Sequence, residues 1–362
     1  MSAQENSIFE GFDDLFKDLG NDTPAATVAK DNTPIVEEKG VTATPVSQET
    51  FSVQPTNNAI LVQGAQAKLS LIEREMNDCF VERDEVIKCM LLALVSGQSM
   101  LMLGPPGTAK SEISRRLTKI FKEESYFEYL ILKSTKPEEL FGPVDKEGKR
   151  NVAGFVPTKK VVFLDEIFNA ESDLLNSLLA ILNEKQYHYE GKRRNVPLIS
   201  LIGSSNTIPF ENLDLLPVYD RFLIKLQVKY VNEKQLNDLI DVKKASVKVT
   251  NELKLTDEEL EKIQSNSEKV EVPENIKKTI KEIKEEYNNI FKESEEESLS
   301  DRKLVRAVRL LKVSAHINGR KEMDYPDLSI LKHCLWNNPG NLETIDKMIS
   351  DIIKRNKSRK ED

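Results

Sequence analysis

The sequence predicts an α/β fold: a mostly parallel, five-stranded sheet with helices on both faces, followed by an all-helical region and preceded by a polar segment. Three observations carry this. Short apolar runs (SMLMLG, FEYLILKS, KVVFLDEI, PLISLIGSSN and FLIKLQV) alternate with helical patterns up to about residue 229, as strands buried on both faces by crossover helices do. Beyond Lys229 only helical periodicities remain. Ahead of Ala65, residues 1–60 hold ten carboxylates against three lysines, and 21–60 keep no sustained period.

The domains expected are therefore a tail over 1–62, an α/β core over 63–229 and a helical domain over 230–362. In the tail, residues 21–60 are rich in Thr, Pro, Val, Asn and acid, and bury too little apolar surface to offset their chain entropy, so a disordered linker is expected. Ahead of it, SIFEGFDDLFKDLG sets Ile8, Phe9, Phe12, Leu15, Phe16 and Leu19 at helical spacing, with Gly20 as a stop. Two readings stay open for this helix near 7–20: docking on its own body, or recruiting a partner.

No basic-then-apolar leader opens the chain, and the longest apolar run, Cys89 to Val95, is too short to span a bilayer. A cytoplasmic protein without a membrane span is expected. Cys79, Cys89 and Cys334 have no paired spacing and read as reduced thiols, and His188, His316 and His333 have no ligand spacing. The net charge of −8 sits almost wholly in the tail. The near-neutral body gives no global support for nucleic-acid binding.

In the core, AKLSLIEREMNDCF and DEVIKCMLLALVSG read as helices, the second closing near Gly97. SMLMLG is a strand that runs into GPPGTAKS, and KSEISRRLTKIFKEE is a helix with Ile113, Leu117 and Ile120 on one side. ESDLLNSLLAILNEKQ is a further helix. The third region strings together DEELEKIQ, ENIKKTIKEIKEEYNNIF, SDRKLVRAVRLLKVSAHI, YPDLSILKHCLW and ETIDKMISDIIKR as a bundle, with KESEEES a solvated loop.

The loop carries the chemistry. Gly104, Pro105, Pro106, Gly107, Thr108, Ala109, Lys110 and Ser111 follow G-x-x-x-x-G-K-[ST] except that Ala109 replaces the second glycine. Strand, loop, helix is the context in which backbone N–H groups converge on phosphates. Lys110 then reaches the β/γ-phosphates of ATP and the Ser111 hydroxyl ligates Mg²⁺. Alanine suits a helix's first turn, so Ala109 harms the cradle only where φ must be positive or room is lacking.

VVFLDEI ends an apolar strand in paired acids, for which burial gives little structural reason. Asp165 is placed to hold Mg²⁺, and Glu166 to orient or deprotonate a water. Asn206, after LIGSS, either fixes that water or caps a turn. Arg221 precedes a strand. Arg302 lies in the first turn of a helix capped by Ser300 or Asp301, where the dipole disfavours a cation. For both arginines a surface ion pair is the competing reading.

The order GPPGTAKS, VVFLDEI, SSN, YDRF and then SDRK resembles the AAA+ ATPases of the MoxR group, and most closely their RavA branch. KPEELFGPV, GFVP, LLNSLLAILNEKQY, VRLLKVSA and LKHCLW extend the resemblance over roughly residues 66 to 355. In that group alanine commonly precedes the lysine, as Ala109 does here. The resemblance implies Walker A contacts from Lys110 and Ser111, and Walker B acids at Asp165 and Glu166. It further implies sensor 1 at Asn206, an arginine finger at Arg221 acting on the neighbouring subunit, and sensor 2 at Arg302. It also implies a homo-oligomeric ring, usually a hexamer, with ATP at the subunit interfaces. FGPVDKEGKRNVAGF then stands as a helix-2 insertion facing pore or client, and YHYEGKRRNV as a hairpin whose Lys192, Arg193 and Arg194 either touch a client or stay solvated.

The leading expectation is an ATP-driven remodeller of protein complexes with a protein client and a von Willebrand factor A-domain partner. A nucleic-acid motor is the alternative, supported only by the local GKRR and KEGKR clusters. A scaffold that binds nucleotide without turnover is a third, opposed by Glu166, Asn206 and Arg221. RavA-type chains usually continue past the lid into a partner-binding module, whereas this sequence stops at Asp362. Its acidic N-terminal extension is not a feature associated with the family, and recruitment in that module's place is one of the two readings open for it.

Overall fold

The computed structural model describes residues 64–121, 123–189, 192–208, 215–241, 253–294 and 296–361. The acidic tail, with its expected linker and helix, lies outside them.

Five strands form one all-parallel sheet: β1 (Met100–Leu103), β2 (Tyr126–Leu130), β3 (Val161–Asp165), β6 (Ser200–Ser205) and β7 (Ile224–Gln227), in the order β2-β3-β6-β1-β7. A separate antiparallel hairpin pairs β4 (Gln186–Tyr189) with β5 (Lys192–Asn195). β1 is buried at every position because it lies between β6 and β7. Register aligns Leu103 with Ser205 and Gln227, Leu164 with Gly203, and Leu130 with Asp165. The segments leaving β1, β3 and β6 therefore emerge at one edge. From β1 the chain crosses to the far strand β2 and returns through β3 and β6, so β1 lies at the switch point where open parallel sheets bind ligands.

Helices α1 (Ala65–Asn77), α2 (Asp84–Ser96), α3 (Lys110–Thr118), α4 (Pro137–Phe141), α5 (Ser172–Glu184) and α6 (Leu216–Arg221) belong to the sheet's part of the chain. Between Val86 and Val95 every residue of α2 but Lys88 is buried, and the helix stops at Gly97, which takes φ 69° and returns its N–H to Ala93. α5 turns Leu174, Leu175, Leu178 and Ile181 inward. The helix expected to run on through 124 ends at Thr118. Ile120 and Phe121 close tighter turns onto Leu117 and Thr118, and the Ile120 carbonyl accepts from Leu255 N at 2.8 Å.

The rest is helical: α7 (Leu236–Asp241), α8 (Asp257–Glu268), α9 (Glu274–Ile290), α10 (Asp301–Ile317), α11 (Tyr325–Leu328), α12 (Lys332–Leu335) and α13 (Leu342–Glu361). A capping box between Thr256 and Glu259 starts α8, and the Ser300 hydroxyl caps α10 by accepting from Lys303 N at 3.2 Å. α10 packs on α8 and α2, α9 on α13, and α12 on β7. One apolar core runs from the sheet into this bundle, with Trp336 fully buried in it. This is the α/β core with a helical lid that the sequence predicts. Among the described residues no helix is long and apolar enough to cross a membrane.

Candidate nucleotide-binding site and a separate arginine cleft

The loop after β1 is shaped by two kinds of constraint. A Cβ at Gly104 would lie 2.0 Å from the Val228 carbonyl oxygen, so only glycine lets the loop leave the sheet there. Gly107 and Ala109 both take left-handed φ, 78° and 68°. Ala109 thus sits where φ is positive, the condition under which the alanine carries a cost, on the order of 1–2 kcal/mol. Thr108 closes the loop by donating to the Pro105 carbonyl at 3.0 Å.

Lys110 opens α3, and its ammonium donates to the carbonyls of Gly104 (2.6 Å) and Pro105 (2.9 Å) and to Asn206 Oδ1 (3.1 Å). Burial lowers its pKa, while the nearby Glu166 and Asp165 carboxylates oppose that shift. Ser111 Oγ donates to Asp165 Oδ2 at 2.7 Å, and Ser204, from the adjacent strand β6, donates to the other oxygen of the same carboxylate. Glu166 takes φ 54°, a strained conformation for a non-glycine residue and one that recurs at functional sites. Its Oε2 accepts from Asn206 N at 3.3 Å. Lys110, Ser111, Asp165, Glu166 and Asn206 therefore meet at one sheet edge. The donor set suits a phosphate chain with a hard cation: an ammonium, and a hydroxyl and carboxylate already in contact.

Arg83 was not singled out by the sequence. Its buried guanidinium donates to Thr108 O at 3.1 Å and Lys229 O at 2.9 Å, tying the loop to the chain leaving β7. A single cation ahead of an apolar helix gives no periodic signal for that role.

The structure does not bring Arg221 and Arg302 to this edge. Both line a cleft of ≈ 550 Å³ together with Gln98 and Ser99, which lead into β1. Strand β1 separates the two places, about 13 Å at the rise of a β-strand. Arg221 ends α6, with its Nη1 at 4.0 Å from Asp220 and its buried Nε without a hydrogen bond. Arg302 is exposed on the first turn of α10, and its side chain makes no hydrogen bond among the described residues. Lys185, Arg306 and Arg309 line the same cleft.

Residues 67–265 match the family described as the MoxR domain in the MoxR-vWA-beta-propeller ternary systems, and residues 275–349 match the AAA lid domain. The chain belongs to the MoxR family of AAA+ ATPases. An uncharacterised protein of Methanocaldococcus jannaschii is 36% identical over 297 residues, covering 80% of this chain and 75% of its own. The chaperone MoxR1 of Mycobacterium tuberculosis is 25% identical over 191 residues, 49% of each chain. The crystal structure of a candidate ATPase from Cytophaga hutchinsonii superposes with a TM-score of 0.61 at 20% identity, covering 80% of this chain and 94% of its own, which is a likeness of fold.

In this MoxR chain the lid is joined to the core by a buried polar node. Asn337 Oδ1 accepts from Lys225 Nζ of β7 at 3.1 Å and from Lys303 Nζ of α10 at 2.9 Å, while its carbonyl accepts from Tyr219 of α6. Glu297, also buried, accepts from the backbone N–H of Asn337 and Asn338 and from Tyr287. Burial lowers the pKa of both lysines. The lysine inside the apolar run FLIKLQV was the one visible sequence signal of this node.

Proposed function

We propose that this MoxR chain hydrolyses ATP in a closed ring of like subunits, hexameric by family resemblance. Each nucleotide is held by one subunit and completed by the next. The observation that carries this is the separation of the motif residues: five share the P-loop edge, whereas Arg221 and Arg302 share a cleft at the opposite end of β1. Side chains so placed serve a nucleotide only across an interface between copies, which a head-to-tail ring supplies.

Gly104 through Ser111 cradle the phosphates, Lys110 lies against the β/γ-phosphates, and Ser111 and Asp165 hold Mg²⁺. The metal, when bound, neutralises charge on the phosphate oxygens. Glu166 takes the proton of the attacking water as its oxygen bonds to the γ-phosphorus, and the electrons of the cleaved P–O bond leave on ADP. Asn206 aligns Glu166 and the water. Arg221 and Arg302 of the neighbouring copy meet the charge on the phosphoryl group in transit.

We take residues 63–229 as the ATPase core and 230–362 as the lid, and place the chain nearest the RavA branch on the segments named above. The cycle remodels protein complexes in the cytoplasm, with a von Willebrand factor A-domain protein as partner and a protein as client. The description of the MoxR domain and the chaperone name of the mycobacterial relative support that reading. The exposed β5 strand, with Lys192, Arg193 and Arg194, then faces the client.

Complementation tests the shared site. Lys110→Ala lacks the cradle and Arg221→Ala lacks the trans cation, so each is inactive alone. Random mixing pairs an intact cradle with an intact arginine at about a quarter of interfaces, restoring that share of turnover. A mixture as inactive as its components would falsify the shared site.

A further inference from the structure

Two arginines do not account for the cleft. Of its lining residues, Lys185, Arg221, Arg302, Arg306 and Arg309 are cationic and only Asp301 is acidic, and that carboxylate is engaged by Lys284 at 2.6 Å. Five like charges around ≈ 550 Å³ repel one another unless an anion enters. Arg306 is committed to the protein through Gln98 and the Arg221 carbonyl, and Arg309 is exposed at the rim. Lys185 differs from both. It is half-buried, and among the described residues its ammonium reaches only the Ile199 carbonyl, at a stretched 3.4 Å.

The backbone at Lys185 is held in an uncommon conformation. It takes φ 52° at the end of α5, left-handed and strained for a residue with a Cβ. Two hydrogen bonds hold it there: its N–H to Ile181 O at 3.1 Å, and its carbonyl accepting from Val196 N at 2.8 Å. Strain fixed from both sides marks positions that serve a site.

We propose that Lys185 is a third trans cation, contacting the phosphate chain of the nucleotide bound on the neighbouring copy. The assignment rests on the shared-site reading above and adds a residue that the motifs do not contain.

Burial and, secondarily, Arg306 bring the pKa of Lys185 down to about 8. The charged groups lining the cleft with it are Arg302, Arg306, Arg309 and Asp301 from α10 and Arg221 from the end of α6, with Asp220 beside Arg221 and Glu184 its neighbour along α5. Cations dominate this set, so before the anion arrives Lys185 loses its proton as pH rises through about 8. Productive capture of ATP needs the charged form, so kcat/KM falls over the same range.

The full chain carrying Lys185→Ala or Lys185→Arg tests this with ATP as the probe. Lys185→Ala is expected to lose about 10²-fold in kcat, as for one electrostatic donor, with ATP affinity within about twofold. Mixing it with Lys110→Ala, which retains Lys185, restores turnover. Lys185→Arg keeps turnover and moves the alkaline limb above pH 9, about one unit or more, since arginine does not titrate there. Unchanged kcat in Lys185→Ala overturns the proposal. So does a loss that Lys110→Ala does not rescue while the Arg221→Ala and Lys110→Ala mixture recovers. Silence of both mixtures overturns the shared site itself.

Discussion

Arg306 donates from its guanidinium to the backbone carbonyl of Arg221 at 3.0 Å. Its Nε also reaches Gln98 Oε1 at 3.0 Å. One side chain of α10 thereby holds the end of α6 against the chain leading into β1. Arg306→Ala is expected to leave ATP affinity unchanged and to lower kcat by about 10- to 100-fold, because a displacement on the order of 1 Å at a reacting group costs that much. Removing Arg306 also removes a positive neighbour of Lys185, so the alkaline limb of activity moves up. A nucleotide titration and a pH profile on the same variant separate the two effects. Equal losses in affinity and kcat would point to general unfolding of the cleft instead.

At the loop, two substitutions should behave in opposite ways. Gly104→Ala sets a methyl 2.0 Å from the Val228 carbonyl oxygen and is expected to abolish nucleotide binding. Ala109→Gly removes a left-handed alanine at φ 68°. The relief, on the order of 1–2 kcal/mol, exceeds the added chain entropy of roughly 0.5–1 kcal/mol, so Tm should rise by about 1–2 °C. ATP affinity should hold or improve. A fall in Tm for Ala109→Gly would mean that the alanine methyl makes contacts worth more than the strain.

Much of this site is legible from residue order alone. Apolar runs cut by Gly104, Pro105 and the Asp165–Glu166 pair mark strands that end in chemistry, because buried charge at a strand terminus has few structural uses. Parallel pairing then follows from the intervening helices, and flush strand ends bring the motifs together. What escapes is any role set by distant neighbours. Lys225 stands out within FLIKLQV, yet its partner Asn337 lies 112 residues away in sequence. Lys185 looks like an ordinary helix-terminal lysine until its left-handed backbone and the approach of α10 are known. The position of Arg302 likewise depends on how the bundle docks. Helical periodicity says which face is apolar, and leaves open which end of the sheet that face meets.

The hydrogen bond from Ser204 to Asp165 fixes the carboxylate from the side opposite Ser111. Partners that orient a ligating carboxylate typically change metal affinity by about 10- to 100-fold when removed. Ser204→Ala is expected to raise the Mg²⁺ concentration for half-maximal turnover by about tenfold, with kcat largely regained at saturating metal. Titrating Mg²⁺ at fixed ATP decides it. A lowered kcat that excess Mg²⁺ does not restore would give Ser204 a part beyond orienting Asp165.

Glu85 couples lid and core under pH control. Its Oε1 accepts from Lys332 Nζ at 2.6 Å and His333 Nε2 at 2.9 Å, joining the first turn of α2 to α12. The hydrogen bond from His333 is the largest cause of a pKa lowered to about 2. For an acid whose folded pKa lies below its unfolded one, the gain is complete above the unfolded value, near 4.5, and disappears as pH falls through about 2. More than half of the side chain is exposed, so screening holds that gain to about 1 kcal/mol. Glu85→Gln should therefore lower the urea midpoint at pH 7, and the gap to the unaltered chain should close between pH 4.5 and 2. α12 is followed, after Trp336, by Asn337, the node that Lys225 and Lys303 share, so loosening its start slackens the joint that positions α6 and Arg221. Hydrogen exchange is expected to rise first around α12, ahead of β1 and β6, as pH is lowered from 4.5 towards 2. Uniform exchange across both regions would separate Glu85 from the joint.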